Sequence, residues 1–546
     1  MGGGWSSTRG KVLAGARAGV LAWFVPPGLV DEVLAAAGQL RGQRFRALPG
    51  RLGVYFVLGL CLYSHLPYTA VMRELASGLG RALREAGWRV PASTALTKAR
   101  RRLGEKPFEL LFSRLCSGLS PGRAPWSHIC GLLAVAWDGT TVKAPASKEN
   151  IAAFGKPGRG RKKAAAGKKA APAGGDAAYP QLRLVTLIAC GTRAVAAAAM
   201  GPLRTGERAL AADCVSGLGK GMLLLADRGF YSYPLWRQAA ATGAHLLWRV
   251  QAGVHLPVRR ALPDGSWLSA VSDPAEARRR THRNGVRRRR GSSLPPDTGP
   301  LPADITVRVI EFTVTVTTSD GAVRTERYRL ITTLLDHAAA PAAELAGGYA
   351  WRWAIETGFR EFKTYLRGPG RLLRARTPEL ARQELWAYLV IYQAIRAVIC
   401  RAAASRRLDP DRISFTATLH AVRATLASAR TRPDAALAET EDAILSQLVP
   451  ERKGRVCIRA VNEPSSPFPS KGNKKGPISQ HAHYTTTITH PPHPTPPHHH
   501  RPAQTTPEPA KPAPLSSWHC VLTGPVCHVH GRWVRASTCV GATGTF

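Results

Sequence analysis

The sequence predicts an α/β protein that is helical at both ends, with a strand-rich middle broken by a β-rich insertion. Three observations point there. Residues 12 to about 126 carry helix-period apolar spacing. From Gly131 the pattern changes to short apolar runs, two of which, Leu132–Trp137 and Met222–Ala226, are each followed by an aspartate, Asp138 and Asp227. An interval of about 251 to 335 then contains two stretches of alternating or β-branched sequence, before a helical pattern resumes near Tyr349.

At the N-terminal end the clearest helical stretches are Val30–Leu40, Leu52–Leu66 and Tyr68–Ala86. Pro91-Ala92-Ser93-Thr94 offers an N-cap for a further helix through Arg102, and a second could follow Gly104 and Pro107. Such a pair fits a DNA-reading helix-turn-helix or a plain helical hairpin. Arg100, Arg101 and Arg102 are its candidate DNA contacts.

In the middle, Leu132–Trp137, Gln181–Cys190 and Ala194–Met200 read as strands, Glu207–Leu218 as a helix and Met222–Ala226 as a strand. Three strands, a helix and a strand is the order of a ribonuclease-H-like fold. In that fold the first and fourth strands are adjacent, so the two aspartates would meet. Tyr233–Thr242 continues as a helix and Ala244–Val250 as a strand, while Ile305–Thr317 and Glu326–Thr333 form the insertion. Two basic loops are expected, at Lys156–Lys169 and Arg278–Arg290. Thr377–Ala404, Ile413–Leu426 and Pro433–Leu448 return to helix. Past Pro464 the chain turns to Pro, Thr, Ser and His and is expected to be disordered, because it has too little apolar surface to offset its ordering entropy. The expected domains are therefore 1–126, 127–400, 401–463 and a tail of 464–546.

Composition limits the function. Lys and Arg number 76 against 35 Asp and Glu, a net charge of +41 that implies a polyanionic partner, nucleic acid first. Small packing proteins of ribosomes or chromatin share such charge but rarely combine it with 13 Trp and 44% hydrophobic residues. The ten cysteines follow no framework spacing, which fits a reducing compartment. The start shows no secretory pattern, and the best apolar run, Leu52–Tyr63, is too short for a bilayer. A cytoplasmic, nucleoid-associated protein without a membrane partner is expected.

The most specific signal is Tyr349-x2-Arg352-x3-Glu356-x6-Lys363. On one uniform helix these four side chains fall within about 60° of one another. Trp351, Ile355, Phe359, Phe362 and Leu366 form the adjoining apolar stripe. A carboxylate can hold a divalent cation while flanking cations hold phosphates. The spacing resembles the signature of the insertion-sequence-four family of DDE transposases. Val135-Ala136-Trp137-Asp138-Gly139-Thr140-Thr141-Val142 and Leu223-Leu224-Leu225-Ala226-Asp227-Arg228-Gly229-Phe230-Tyr231 resemble its two aspartate motifs, in the expected order.

That resemblance implies a ribonuclease-H-like catalytic core in which Asp138, Asp227 and Glu356 hold two Mg²⁺ ions, with Mn²⁺ as a substitute. It implies metal-dependent cleavage and transfer of double-stranded DNA at element ends, by a homodimer in the synaptic complex. Arg352 and Lys363 would grip phosphates, Tyr349 would donate to another, and Tyr328 would stack beside a flipped base or else face the core. The rival readings are a catalytically impaired DNA-binding relative and a resident nuclease of the same fold.

Overall fold

A computed structural model describes residues 19–39, 48–77, 89–116, 126–157, 179–291, 297, 299, 301–318, 321, 323–427, 433–450, 455–457, 479–490, 527–529 and 532–534. It is a mixed α/β structure that divides into two compact units. The first comprises residues 1–128, 133–219 and 354–451, and the second residues 129–132, 220–353 and 452–546. The units do not follow the expected domain boundaries. Both helical ends and the Glu356 segment share the first unit with the Asp138 strand, whereas Asp227 and the insertion belong to the second.

The sheet of the first unit is an antiparallel meander of Leu132–Lys143, Gln181–Ala189 and Val195–Pro202. Its first strand does not stop at Asp138 as the apolar run suggested. Thr140, Thr141 and Val142 are β-branched and carry the strand on to Lys143, while burial gives way to partial exposure after Trp137. The register sets Asp138 opposite Thr186, Thr140 opposite Leu184 and Ala136 opposite Ile188, so these six side chains share one face.

The helices of this unit pack around Pro378–Ser405, which starts with Pro at its first turn and is buried along most of its length. Among the described residues it is the one helix long and apolar enough to cross a membrane, and 83% of its apolar window is buried inside the protein. Helices Gly50–Leu62, Lys106–Cys116 and Phe415–Ala427 pack against it. The expected helical pair is present as Ser93–Leu103 and Lys106–Cys116, turned by Gly104 at φ +62°, a backbone angle that suits glycine.

In the second unit, Met222–Ala226 and His245–Arg249 run parallel, joined by helix Tyr233–Ala240. The insertion supplies an antiparallel hairpin, Ile305–Thr318 and Val323–Thr332, whose second strand continues the sheet from His245–Arg249. Two expectations are corrected here. The basic loop at Arg278–Arg290 is mostly a helix, Pro274–Arg289, because Asp273 caps it by accepting from Ala275 N and Glu276 N, and Pro274 sets its first turn. The tail is not without structure: Ser479–Ile488 pairs antiparallel with Ile305–Thr318, with Tyr484 buried. Its Tyr-Thr-Thr-Thr-Ile run has strong β preference, which the Pro- and His-rich average of the tail hides. The other basic loop, Lys156–Lys169, lies outside the described residues from 158 onward.

Candidate active site

The signature segment is not one uniform helix. Helix Ala342–Tyr349 gives way to a tight 3₁₀ turn at Ala350–Trp353, then to α-helix Ala354–Arg360, then to a wide π turn at Glu361–Leu366. With these changes of pitch the constant 100° step of a uniform helix does not hold along the segment. Ile355, Phe362 and Leu366 are buried as the expected stripe required, while Trp351 and Phe359 are half-buried.

In the first unit, Ile355, Phe359 and Phe362 pack over Leu184, Thr186 and Ile188 of the middle strand. That is the face on which Asp138 and Thr140 stand. Lys363 Nζ donates to Thr140 Oγ1 at 2.9 Å, which ties the π turn to the Asp138 strand two residues beyond the carboxylate. Glu356 is exposed, Asp138 is half-exposed, and Asp138 Oδ1 accepts from Gly139 N at 2.7 Å. Burial, followed by the nearby charges of Arg367 and Lys143, lowers the Lys363 ammonium below the ordinary lysine range. A cation held this way gains from a phosphate. Sequence reasoning missed Thr140, although its place two residues after Asp138 on the same strand face was available.

In the second unit, Asp227 directly follows strand Met222–Ala226, and its Oδ1 accepts from Arg228 N at 2.7 Å. Tyr349 is buried and its hydroxyl donates to Ala226 O at 3.1 Å. The expectation that it donates to a DNA phosphate is thus corrected: the hydroxyl anchors the backbone beside Asp227. Burial pushes the phenol above its ordinary range, and Arg352 and Asp227 are both near enough to act on it with opposite sign. Arg352 is itself buried, with its guanidinium 4.7 Å from the Trp353 ring centre, so it does not form the open face the uniform helix predicted.

Tyr328 faces inward. It stacks on its cross-strand partner Phe312 at 5.2 Å, carries the Arg249 guanidinium at 4.1 Å, and donates to Glu326 at 3.1 Å. The ring is half-buried, and these contacts support the core-facing alternative over stacking beside a flipped base.

The three N-terminal arginines differ. Arg100 is 1% exposed and binds Glu384 at 3.0 Å, Gln383 at 2.8 Å and the Tyr68 hydroxyl at 2.7 Å. Its expected DNA contact is corrected, because this guanidinium holds the helix to Pro378–Ser405. Arg102 donates to Leu48 O at 3.0 Å, and Arg101 is exposed beside Lys98 on the outer face.

Among the described residues, no three His, Cys, Asp or Glu side chains stand close enough together to form a metal site. The candidate donors are all carboxylates, hard oxygen ligands of the kind that suits Mg²⁺ or Mn²⁺ rather than a soft thiolate metal. Cys61, Cys116, Cys130, Cys190, Cys214 and Cys400 are free thiols.

Comparison with known proteins places these residues in context. Residues 16–113 match the family described as insertion element 4 transposase N-terminal, and residues 130–393 match the transposase DDE domain. Transposase InsG for insertion sequence element IS4, from Escherichia coli (strain K12), is 27% identical over 458 residues, covering 83% of this chain and 93% of that protein. Putative transposase InsZ of the same organism is 28% identical over 236 residues, 43% of this chain and 71% of that protein. A solved piggyBac transposase synaptic complex with hairpin DNA aligns at a TM-score of 0.36 and 9% identity over 78% of this chain and 84% of that one, too distant to bear on the site.

Proposed function

We infer the chemistry of this chain from one premise: it belongs to the insertion-sequence-four family of DDE transposases, and it is a DNA transposase with DDE-type polynucleotidyl transfer activity. A divalent metal belongs with that chemistry. Asp138, Asp227 and Glu356 are proposed as its ligands, with Mg²⁺ the metal and Mn²⁺ a substitute. The metal would supply activation of the attacking oxygen and stabilisation of the leaving one. The ligand reading is supported by the motif order, by carboxylates left at least half-exposed at Asp138 and Glu356, and above all by the Lys363–Thr140 bond that holds the Glu356 segment over the Asp138 face.

The chain's own side chains then divide the work. Lys363 neutralises a phosphate near the scissile bond, and Tyr349 fixes the backbone that presents Asp227. Buried Arg352 places positive charge near the Tyr349 phenol. Water attacks the phosphodiester at an element end and frees a 3′-hydroxyl; that hydroxyl attacks the opposite strand or the target DNA and expels a 3′-oxygen from the attacked phosphodiester, with no covalent protein intermediate.

The ribonuclease-H-like reading of the core is supported by the meander in the first unit and by the parallel strand pair in the second. Element-end recognition is assigned to the N-terminal helices, with Lys98 and Arg101 on their exposed face, and non-specific backbone contact to the Arg-rich helix Pro274–Arg289, none of whose residues is buried. Synapsis of two ends calls for a homodimer on DNA, acting in the bacterial cytoplasm at the nucleoid.

The full chain should nick duplex DNA carrying the sequences that flank its own gene, in Mg²⁺ or Mn²⁺ and not in chelator, leaving a 3′-hydroxyl at the element end. Tight binding without cleavage in either ion would favour the catalytically impaired alternative.

A further inference from the structure

The first unit contains an open cleft of about 440 Å³, walled by Ser64–Pro67 on one side and by Arg371 and Arg374 on the other, with Tyr388 behind. Arg371 Nη1 donates to Ser64 O at 2.8 Å, and Arg374 Nη2 donates to Ser64 O and, at 3.3 Å, to Tyr63 O. These bonds hold two guanidiniums side by side on one carbonyl while using only part of their donor capacity. Arg367 lies behind them, 4% exposed and 5.6 Å from the Tyr388 ring centre, with its Nε buried and without a hydrogen-bond partner. Arg423 donates twice to Leu62 O, at 2.9 and 2.6 Å.

Among the described residues, no carboxylate forms an ion pair with any of these four guanidiniums, and no acidic side chain lines the cleft. Glu384, the nearest buried carboxylate in this part of the unit, is held by Arg100, also accepts from Arg374 N at 3.0 Å, and offsets part of the positive charge around Arg367. The accumulated charge is felt by its neighbours: burial and then Arg423, Arg371 and Arg374 lower the His65 imidazole below its ordinary range. Four guanidiniums beside this one carboxylate leave an excess of like charge, a cost that a polyanion relieves.

The cleft is continuous with the Asp138 strand. Leu373 N donates to Lys143 O at 3.0 Å, so the Arg371–Arg374 stretch is pinned to the last residue of that strand. Lys143 and Lys363 both lie along the way. Lys143 lies five residue steps beyond Asp138, roughly 17 Å of extended chain at about 3.3 Å per residue. At about 3.4 Å of rise per nucleotide along the duplex axis, that is on the order of five nucleotide steps for a duplex whose axis follows this strand.

We propose that this cleft is a phosphate-binding site for the DNA backbone, gripping one strand about five nucleotides from the scissile bond through Arg371 and Arg374. The proposal rests on the transposase reading and adds a second anchor to it. Contacts of this kind fix the register of the DNA and read no bases.

The test uses the full chain and a duplex of fixed sequence, with affinity measured across a salt series. Arg371→Ala should lower the slope of log affinity against log salt by about 0.9, the loss expected for one phosphate contact. Arg371→Lys should keep most of the slope, and Arg406→Ala, which removes an exposed arginine elsewhere in the unit, should leave it unchanged. Methylphosphonate linkages placed singly along the duplex should weaken the unmodified protein about five steps from the cut and leave Arg371→Ala indifferent there. If the unmodified protein cuts DNA while Arg371→Ala keeps the full slope, or loses no more than Arg406→Ala, the cleft is off the DNA path. If the unmodified protein neither binds nor cuts DNA, the transposase reading falls and the cleft assignment with it.

Discussion

The two halves of the signature segment behave differently. From Tyr349 to Trp353, in the second unit, the conspicuous side chains turn inward: Tyr349 holds Ala226 O and the Arg352 guanidinium lies against Trp353. From Ala354 to Leu366, in the first unit, the apolar residues pack onto the meander and leave Glu356 exposed and Lys363 half-buried on Thr140. The same motif therefore contains two kinds of residue. Tyr349 holds the backbone beside Asp227 and Arg352 is buried near it, while the exposed Glu356 and half-buried Lys363 are the residues proposed to meet metal and phosphate. A motif spacing alone does not distinguish them, because a phenol that anchors a backbone and one that touches substrate occupy the same offset.

That contrast can be broken by substitution. Lys363→Ala should have the largest effect of three, lowering the rate of strand cleavage at saturating DNA by on the order of a hundredfold, as removal of a cation facing a reacting phosphate does. Equal rates for Lys363→Ala and the parent would move Lys363 out of the site. Tyr349→Phe should instead appear in chemical denaturation, with a loss of about 1 kcal/mol for the missing bond to Ala226 O and an unchanged salt slope of DNA binding. A shallower slope with unchanged stability would return Tyr349 to the DNA. Arg360→Ala, at an exposed position outside the matched spacing, should stay within about 0.5 kcal/mol in stability and close to the parent in rate. Damage equal to that of Lys363→Ala would show that the DNA-facing side has been drawn on the wrong face.

Much of the architecture was legible because it rests on local pattern. The short apolar strand runs, the alternating and β-branched hairpin of the insertion and the long apolar Pro378–Ser405 stretch are local features, and local sequence is enough to find them. What escaped depends on partners distant in sequence or on changes of pitch. Arg100 is indistinguishable from Arg101 in the sequence, yet one lies on the side of its helix that meets Glu384, 284 residues away, and the other on the outer face. Tyr328 was legible as a strand residue, but its stack on Phe312 and the cover from Arg249 follow from strand pairing across the sheet. The uniform helix failed at the 3₁₀ and π turns, which no hydrophobic pattern announces. In the tail, one short strand-forming run was masked by the composition around it.

The central claim is that Glu356 is a metal-binding catalytic carboxylate rather than a solvated surface acid. The most direct measurement is strand cleavage by full-length Glu356→Gln in Mg²⁺ and in Mn²⁺, alongside its DNA affinity and thermal unfolding. The exposed position predicts unchanged unfolding. With an amide in place of a charged ligand, cleavage should disappear in both ions while affinity stays near that of the parent. Cleavage at the parental rate by a folded, DNA-bound Glu356→Gln protein would contradict the account.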